Sequence, residues 1–274
     1  MWTHPAWPGR SLSRVRGRNA LASYAAALPA VEGNTTFYGL PTPENAQRWA
    51  ESTPDDFRFM FKLPRTITHQ RKLRNTEELV AEFFDVLEPC LSRMSPVLVQ
   101  LPSAFGPESL DVLESFLREA PDVVRYAVEV RHPSFFEDRD RERRLNDLLF
   151  SVGVDRVMFD ARAVFAGPCI TAAEREAFSN KPNLPVRAVS TADSPVVRFI
   201  GQSAPEANPP FWQPWVGTVS RWLAEGKSPT VFIHTPDNSD AVDLAREFHE
   251  EVRAVAEGVE PLAPSPREVA QKLF

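Results

Sequence analysis

The chain has 274 residues, 43% hydrophobic and 25% charged, with a formal net charge of −6; this length suits one barrel domain or two ordinary ones, with a core that needs no staples. Its two cysteines, Cys90 and Cys169, form no disulfide framework and no Cys/His set has zinc-site spacing, so a reducing cytoplasm is the expected setting. The acidic balance argues against broad nonspecific duplex binding, and no apolar run reaches membrane-spanning length, so no membrane is expected as a partner.

The first eighteen residues carry basic side chains without an apolar run, so they do not read as a secretory signal. Leu12–Leu28 reads as a first helix, and Val31-Glu32-Gly33-Asn34 is the first strand-like run. Pro43–Ser52 reads as a helix, Phe57–Leu63 as a strand, and Glu77–Cys90 as a helix with Leu79, Val80, Phe83, Phe84 and Leu87 at helical spacing. The strand Val97–Leu101, the amphipathic helix Leu110–Glu119, the strand Tyr126–Val130, the helix Arg141–Val152 and the strand Arg156–Asp160 follow. Arg162–Ser194 interrupts the alternation with one short helix, Thr171–Ser179, and the Pro-rich Lys181–Val186; long excursions in compact domains tend to carry function or disorder. The strand Val196–Arg198, the helix Phe211–Glu225, the strand Thr230–His234 and the helix Ser239–Glu257 complete the series.

Such alternation implies a parallel sheet with crossover helices. The expected fold is an α/β, TIM-type (β/α)8 barrel formed as a single domain by residues 1–274. A closed barrel needs eight strands and the chain offers seven, so the first strand is expected to be truncated or degenerate, with little but Met1-Trp2 left to supply it. An open doubly wound sheet is the alternative.

Each strand-like run ends in an ionisable or amide side chain, the pattern by which a parallel barrel builds its active site. Alternate residues of a strand share a face, so Glu32 goes with Asn34, Met60 with Lys62, and Glu129 with Arg131. Phe59, Phe61, Val97, Val99, Val128 and Val130 form the natural helix-facing set. The inward set then holds three carboxylates (Glu32, Glu129, Asp160), three fixed cations (Lys62, Arg131, Arg198), and His234, Gln100 and Asn34. A buried unpaired charge costs several kcal/mol, so these groups are expected to pair. Structural barrel interiors are mostly branched aliphatics, and this many ionisable strand ends points to a ligand site rather than to packing.

Arginine forks suit phosphate or carboxylate, so a small anionic ligand or a nucleic acid is the expected partner. Glu129 and Glu32 are the candidate base and acid, with Lys62 or His132 as the alternative acid. Lys62, Arg131 and Arg198 serve as anion clamps, and Asn34 and Gln100 as orienting groups. A noncatalytic nucleic-acid or nucleotide-binding protein is the second reading. It draws on the basic loop that leaves a strand end with Arg65, His69, Arg71, Lys72 and Arg74, for which a solvated face is the plain alternative. A metal-dependent hydrolase or isomerase using Glu32, Glu129, Asp160 and His234 is the third. Lys62, Arg131 and Arg198 would repel the cation, so no metal site is assigned. The sequence requires no cofactor. Trp212 and Trp215 are expected in the core. There is no P-loop, Gly-rich dinucleotide turn, paired-His zinc motif or Gly-x-Ser-x-Gly elbow.

The segments 31–38 (VEGNTTFY), 53–59 (TPDDFRF), 61–69 (FKLPRTITH), 100–102 (QLP) and 127–133 (AVEVRHP) together resemble the YecE-like family, domain of unknown function 72. The resemblance covers most of the chain. It implies a TIM-type barrel and, as pocket positions, Glu32, Asn34, Lys62, His69, Gln100, Glu129, Arg131, His132 and Asp160. It brings no settled activity; the barrel is similar in outline to sugar isomerases and to a metal-dependent endonuclease, which is analogy of fold. Family members usually begin with a Gly-rich strand ending near a Trp, where this chain has Met1-Trp2 and Trp7-Pro8-Gly9. Their last strand often ends in consecutive Asn residues, where this chain has His234-Thr-Pro-Asp-Asn238.

Overall fold

The computed structural model describes residues 2–14, 20–266 and 269. Every strand-like run of the sequence forms a strand: β1 Ala30–Gly33, β2 Arg58–Phe61, β3 Val97–Gln100, β4 Tyr126–Glu129, β5 Asp155–Asp160, β6 Val196–Ile200 and β7 Thr230–His234. β1 pairs with β2 in parallel, setting Glu32 opposite Met60 and Gly33 opposite Phe61. The other five form one sheet in the order β3-β4-β5-β6-β7. The parallel register sets Gln100 opposite Glu129 and Val128 opposite Arg156. Bridges from Phe59 to Met94 and from Lys62 to Leu98 carry the pairing from β2 to β3, where the Leu63 N–H donates to the Leu98 carbonyl at 3.0 Å. Sequential parallel strands with helices between them make this an α/β fold.

The chain divides into two compact units. The first comprises Ala30–Met158 and Val189–Val196. It holds helices α2 Thr35–Tyr38, α3 Pro43–Glu51, α4 Glu77–Val86, α5 Leu110–Glu119, α6 Ser134–Glu137 and α7 Arg139–Ser151; α1 Ala20–Ala25 belongs to the second unit. α3 starts where Thr42 accepts the Asn45 N–H and Pro43 fills the first turn; α7 starts where Asp138 accepts the N–H groups of Asp140 and Arg141. The expected helix-facing side chains are buried. Phe59 and Phe61 stack with centroids 5.0 Å apart, and Trp49 of α3 stacks on Phe61 at 5.7 Å. A Cβ at Gly33 would lie 2.4 Å from the Phe61 ring, so this close approach requires glycine.

At the start of β5 the same unit buries a polar cluster. Arg156 donates from Nη1 to Glu142 at 2.8 Å and to Asn146 at 2.9 Å, and its guanidinium lies 5.3 Å from the Phe136 ring centre. Its backbone N–H donates to Thr191 Oγ1 at 2.8 Å, while the Thr191 hydroxyl donates to the Val154 carbonyl at 2.7 Å. The Asp155 carboxylate accepts the N–H groups of Ala192 (3.2 Å) and Ser194 (2.9 Å).

The second unit comprises Trp2–Pro29, Phe159–Ala188 and Val197–Phe274. It holds α1 Ala20–Ala25, α8 Arg162–Ala166, α9 Ala172–Asn180, α10 Pro209–Ala224 and α11 Ala241–Arg253. The expected helix at Leu12–Leu28 is shorter than the sequence suggested. The Trp7 carbonyl accepts the N–H groups of Arg10, Ser11 and Leu12 in a tight turn, which keeps Leu12 out of a helix; residues 15–19 lie outside the described residues. Among the described residues no strand precedes β1. The excursion after β5 is anchored by α9, which opens with a capping box between Thr171 and Glu174. Ala161, Val164, Ala177 and Ile200 pack there with Phe159 and Phe165. No helix among the described residues is long and apolar enough to cross a membrane.

Candidate functional site

In the first unit the ends of β1, β2 and β3 meet at Lys62. Its Nζ lies 3.2 Å from Glu32 Oε1 and donates to Gln100 Oε1 at 3.1 Å. All three residues are buried. Period-two alternation puts these side chains on the face opposite Phe59 and Phe61, as expected. The Thr36 hydroxyl, at the start of α2, donates to the carbonyls of Gly33 (3.2 Å) and Lys62 (2.7 Å), which pins the turn after β1 to the end of β2. Asn34 precedes α2, half-buried, with its carbonyl accepting the Phe37 N–H. The Phe37 ring centre lies 5.9 Å from Lys62 Nζ, a cation–π arrangement.

Glu129, wholly buried at the end of β4, accepts the Arg131 Nε–H at 2.7 Å. The two lie on one face of the extended chain, and the Arg131 side chain stays 23% exposed. His132 accepts the Ser134 N–H at Nδ1 (3.2 Å) and meets Phe135 edge-on. This leaves Nε2 to carry the proton in the neutral ring.

His69 ties these groups together. It sits in a single π-helical turn, Thr66–Gln70, a feature often found at functional sites. Its Nδ1 lies 2.9 Å from the Thr68 hydroxyl, and its ring meets Phe37 edge-on at 5.0 Å. Its pKa falls to about 4; burial is the largest cause, followed by Arg131, Arg65 and Lys62, with Glu129 opposing. After His69, Arg71, Lys72 and Arg74 are exposed on a loop whose Lys72, Leu73 and Asn75 have φ of 49°, 66° and 52°. Left-handed backbone costs a non-glycine residue about 1–2 kcal/mol. Burial of Leu73, and its N–H bonded to the Ile67 carbonyl at 3.0 Å, hold the loop in that shape.

Asp160, Arg198 and His234 belong to the second unit. Asp160 Oδ1 accepts the backbone N–H (3.1 Å) and Nε–H (3.0 Å) of Arg162, and Oδ2 accepts Arg162 Nη2 (2.7 Å) and the Trp215 indole N–H (2.8 Å). Four hydrogen bonds match the acceptor capacity of a carboxylate. Arg198 is buried with its guanidinium 5.4 Å from the Phe159 ring centre. His234 is half-buried, and its carbonyl accepts the Gly201 N–H at 2.7 Å. The two segments in which the chain departs from the resembled family, Trp7-Pro8-Gly9 and His234-Thr-Pro-Asp-Asn238, meet in this unit: the Trp7 indole N–H donates to the Asn238 carbonyl at 3.0 Å.

Sequence reasoning gave no site role to Phe37, Tyr38, Thr68 or Arg162. A four-residue helix has no periodicity to detect, and the Trp215–Asp160 bond spans 55 positions. Trp212 and Trp215 are buried, as expected. Among the described residues, no three of His, Cys, Asp and Glu gather in a way that could hold a metal ion.

Comparison with known proteins agrees with the resemblance read from the strand ends. The family model "Protein of unknown function DUF72" matches residues 1–270. UPF0759 protein YecE of Escherichia coli strain K12 is 42% identical over 253 residues, covering 92% of this chain and 90% of that protein. UPF0759 protein YunF of Bacillus subtilis strain 168 is 28% identical over 141 residues, 48% of this chain and 50% of that one. The crystal structure of a DUF72 family protein from Enterococcus faecalis V583 aligns with a TM-score of 0.66 at 22% identity, covering 85% of this chain and 93% of that one. Another, from Thermotoga maritima MSB8, aligns with a TM-score of 0.65 at 21% identity, covering 92% and 96%. At such identities the structures speak for the fold alone.

Proposed function

The chain belongs to the DUF72 family, and from that premise we propose an enzyme that binds an anionic substrate, phosphorylated or derived from nucleic acid, at the strand ends of its first unit and works on it by acid–base chemistry. The observation that carries this reading is the set of charges at the strand ends: Lys62 is held by Glu32 and Gln100, and Glu129 by Arg131, whose side chain stays 23% exposed. A fixed cation that reaches solvent attracts anions. Burial first, and then Arg131, Arg65 and Lys62, lower the His69 pKa, so that its ring is a neutral hydrogen-bonding group at physiological pH.

In this reading Glu129, held by Arg131, is the general base. Lys62 is the proton donor, and Glu32 and Gln100 fix its ammonium in place. Arg131 and Arg65 receive the anion; Asn34, Gln100 and His132 orient the substrate. Asp160, Arg198 and His234 remain substrate-binding candidates of the second unit. The sequential parallel strands and the likeness to solved DUF72 structures support a TIM-type (β/α)8 barrel with a degenerate first strand, formed by the whole chain as one domain.

Turnover of a panel of phosphorylated small molecules tests this. Glu129→Gln, with folding checked by circular dichroism, is expected to lower kcat about 100-fold or more, as loss of a general base does. A broad panel without turnover defeats the catalytic reading.

One observation favours a second reading, a noncatalytic nucleic-acid or nucleotide binder: the fixed, exposed loop bearing Arg71, Lys72 and Arg74. It calls for oligonucleotide binding that weakens steeply with salt and is lost when these three charges are reversed. Binding indifferent to both changes removes it.

A further inference from the structure

We propose that the anion taken by this site carries a flat aromatic ring, and that the exposed ring of Tyr38 stacks on it; the inference rests on the anion-binding reading above. Tyr24 and Tyr126 are buried, and the Tyr126 hydroxyl donates to the Pro121 carbonyl, whereas Tyr38 is 77% exposed. A single exposed aromatic side chain is ordinary on a protein surface. This one differs in what holds it and in what lies behind it.

Tyr38 ends α2, which is fixed at both ends. Thr36 bonds to the carbonyls of Gly33 and Lys62, the Phe37 N–H donates to the Asn34 carbonyl, and the Gly39 N–H donates to the Thr35 carbonyl. Its ring stands edge-on to Phe37, with centroids 5.2 Å apart at 87°. Phe37 in turn stands edge-on to His69 at 5.0 Å and beneath Lys62 Nζ at 5.9 Å. Three rings therefore run from solvent to the cationic strand ends. The outermost offers an open face on a rigid support, and a tyrosine has few torsions to freeze when it packs against a ligand. Tyr38 is two ring contacts from His69, so an anionic group held there would meet the Tyr38 ring only through a spacer, which is the layout of a nucleoside monophosphate with its ribose between phosphate and base.

The test measures affinities of the full chain, by calorimetry, for adenosine monophosphate, uridine monophosphate and phenyl phosphate. Ribose 5-phosphate and inorganic phosphate serve as ringless probes. At least one ring-bearing probe is expected to bind about tenfold tighter than the ringless ones, the scale of one aromatic stacking contact. Tyr38→Ala should abolish that preference without changing the affinity for ribose 5-phosphate, and Tyr38→Phe should keep it. Phe150→Ala, which removes an equally exposed ring from α7, should change nothing. Equal binding of ringed and ringless probes, or a preference that survives Tyr38→Ala, overturns the aromatic subsite and leaves the anion site standing. No binding of any probe, inorganic phosphate included, overturns both.

Discussion

The first unit buries ion pairs at two places, and they differ in how they are closed. At the start of β5, Arg156 and Glu142 have side chains 3% and 9% exposed, with Asn146, Thr191 and the Phe136 ring around them. At the ends of β1 to β4 the Glu32–Lys62 pair is enclosed as well, with side chains 1% and 8% exposed, but in Glu129–Arg131 the arginine reaches solvent, near the half-buried His69 and the exposed Tyr38. In the proposed reading the same residue types serve two purposes. A pair enclosed by side chains and backbone holds α7 to the sheet, whereas a pair at the edge of solvent can exchange part of its electrostatic environment for a ligand. This matches the general asymmetry of parallel β/α folds, in which strand starts carry stability and strand ends carry chemistry.

Removing one cation from each place breaks or sharpens the contrast. Arg156→Ala removes the cation paired with the buried Glu142, and losses of about 3–5 kcal/mol are typical of breaking a buried pair. Arg131→Ala removes a side chain that is 23% exposed from the buried Glu129, so water can take its place, and the expected loss is smaller than for Arg156→Ala, with anion affinity reduced about tenfold. Urea unfolding of the two variants side by side decides the matter. Similar stability losses, or an Arg131 variant that keeps its anion affinity, would mean that both clusters are structural.

The strand ends were legible because a strand's alternation is rigid. Once Phe59 and Phe61 were assigned to the helices, Lys62 had to point the other way with Glu32, and the hydrogen bonds follow. The closure of each pair was not legible. Arg156 read only as the first residue of a strand, because its partners Glu142 and Asn146 lie one turn apart on a helix that the hydrophobic pattern located but did not orient. Asp160 reads as an inward carboxylate that must pair, without its partner being named. Its saturation by Arg162 and Trp215 depends on a side-chain direction and on a residue far along the chain. The π-helical turn that positions His69 and the single turn that positions Tyr38 are too short to leave a periodic signal.

The two places also differ in the sign of their pH dependence. His69, near the strand ends, has its pKa lowered to about 4, so the unfolded chain binds more protons below its ordinary value of 6.5 and stability falls as pH drops from 6.5 toward 4. Asp155, at the start of β5, has its pKa raised to about 6. Burial is the larger cause and outweighs the N–H groups of Ser194 and Ala192 and the charge of Arg125; Asp193 adds to the rise. Here the folded chain binds more protons, so the Asp155 contribution is fully present below the ordinary value of 3.8 and is lost as pH rises through 6. Each effect amounts to about 1–2 kcal/mol once discounted for solvent. Relative to the unsubstituted chain, His69→Gln should therefore gain stability as pH falls from 6.5 to 4, measured by urea unfolding at each pH. Asp155→Asn should gain relative stability in the opposite direction, as pH rises from 4 to 6. Parallel curves for the two variants would show that the half-open histidine and the enclosed aspartate answer protons in the same way, and the contrast between the two places would lose its electrostatic basis.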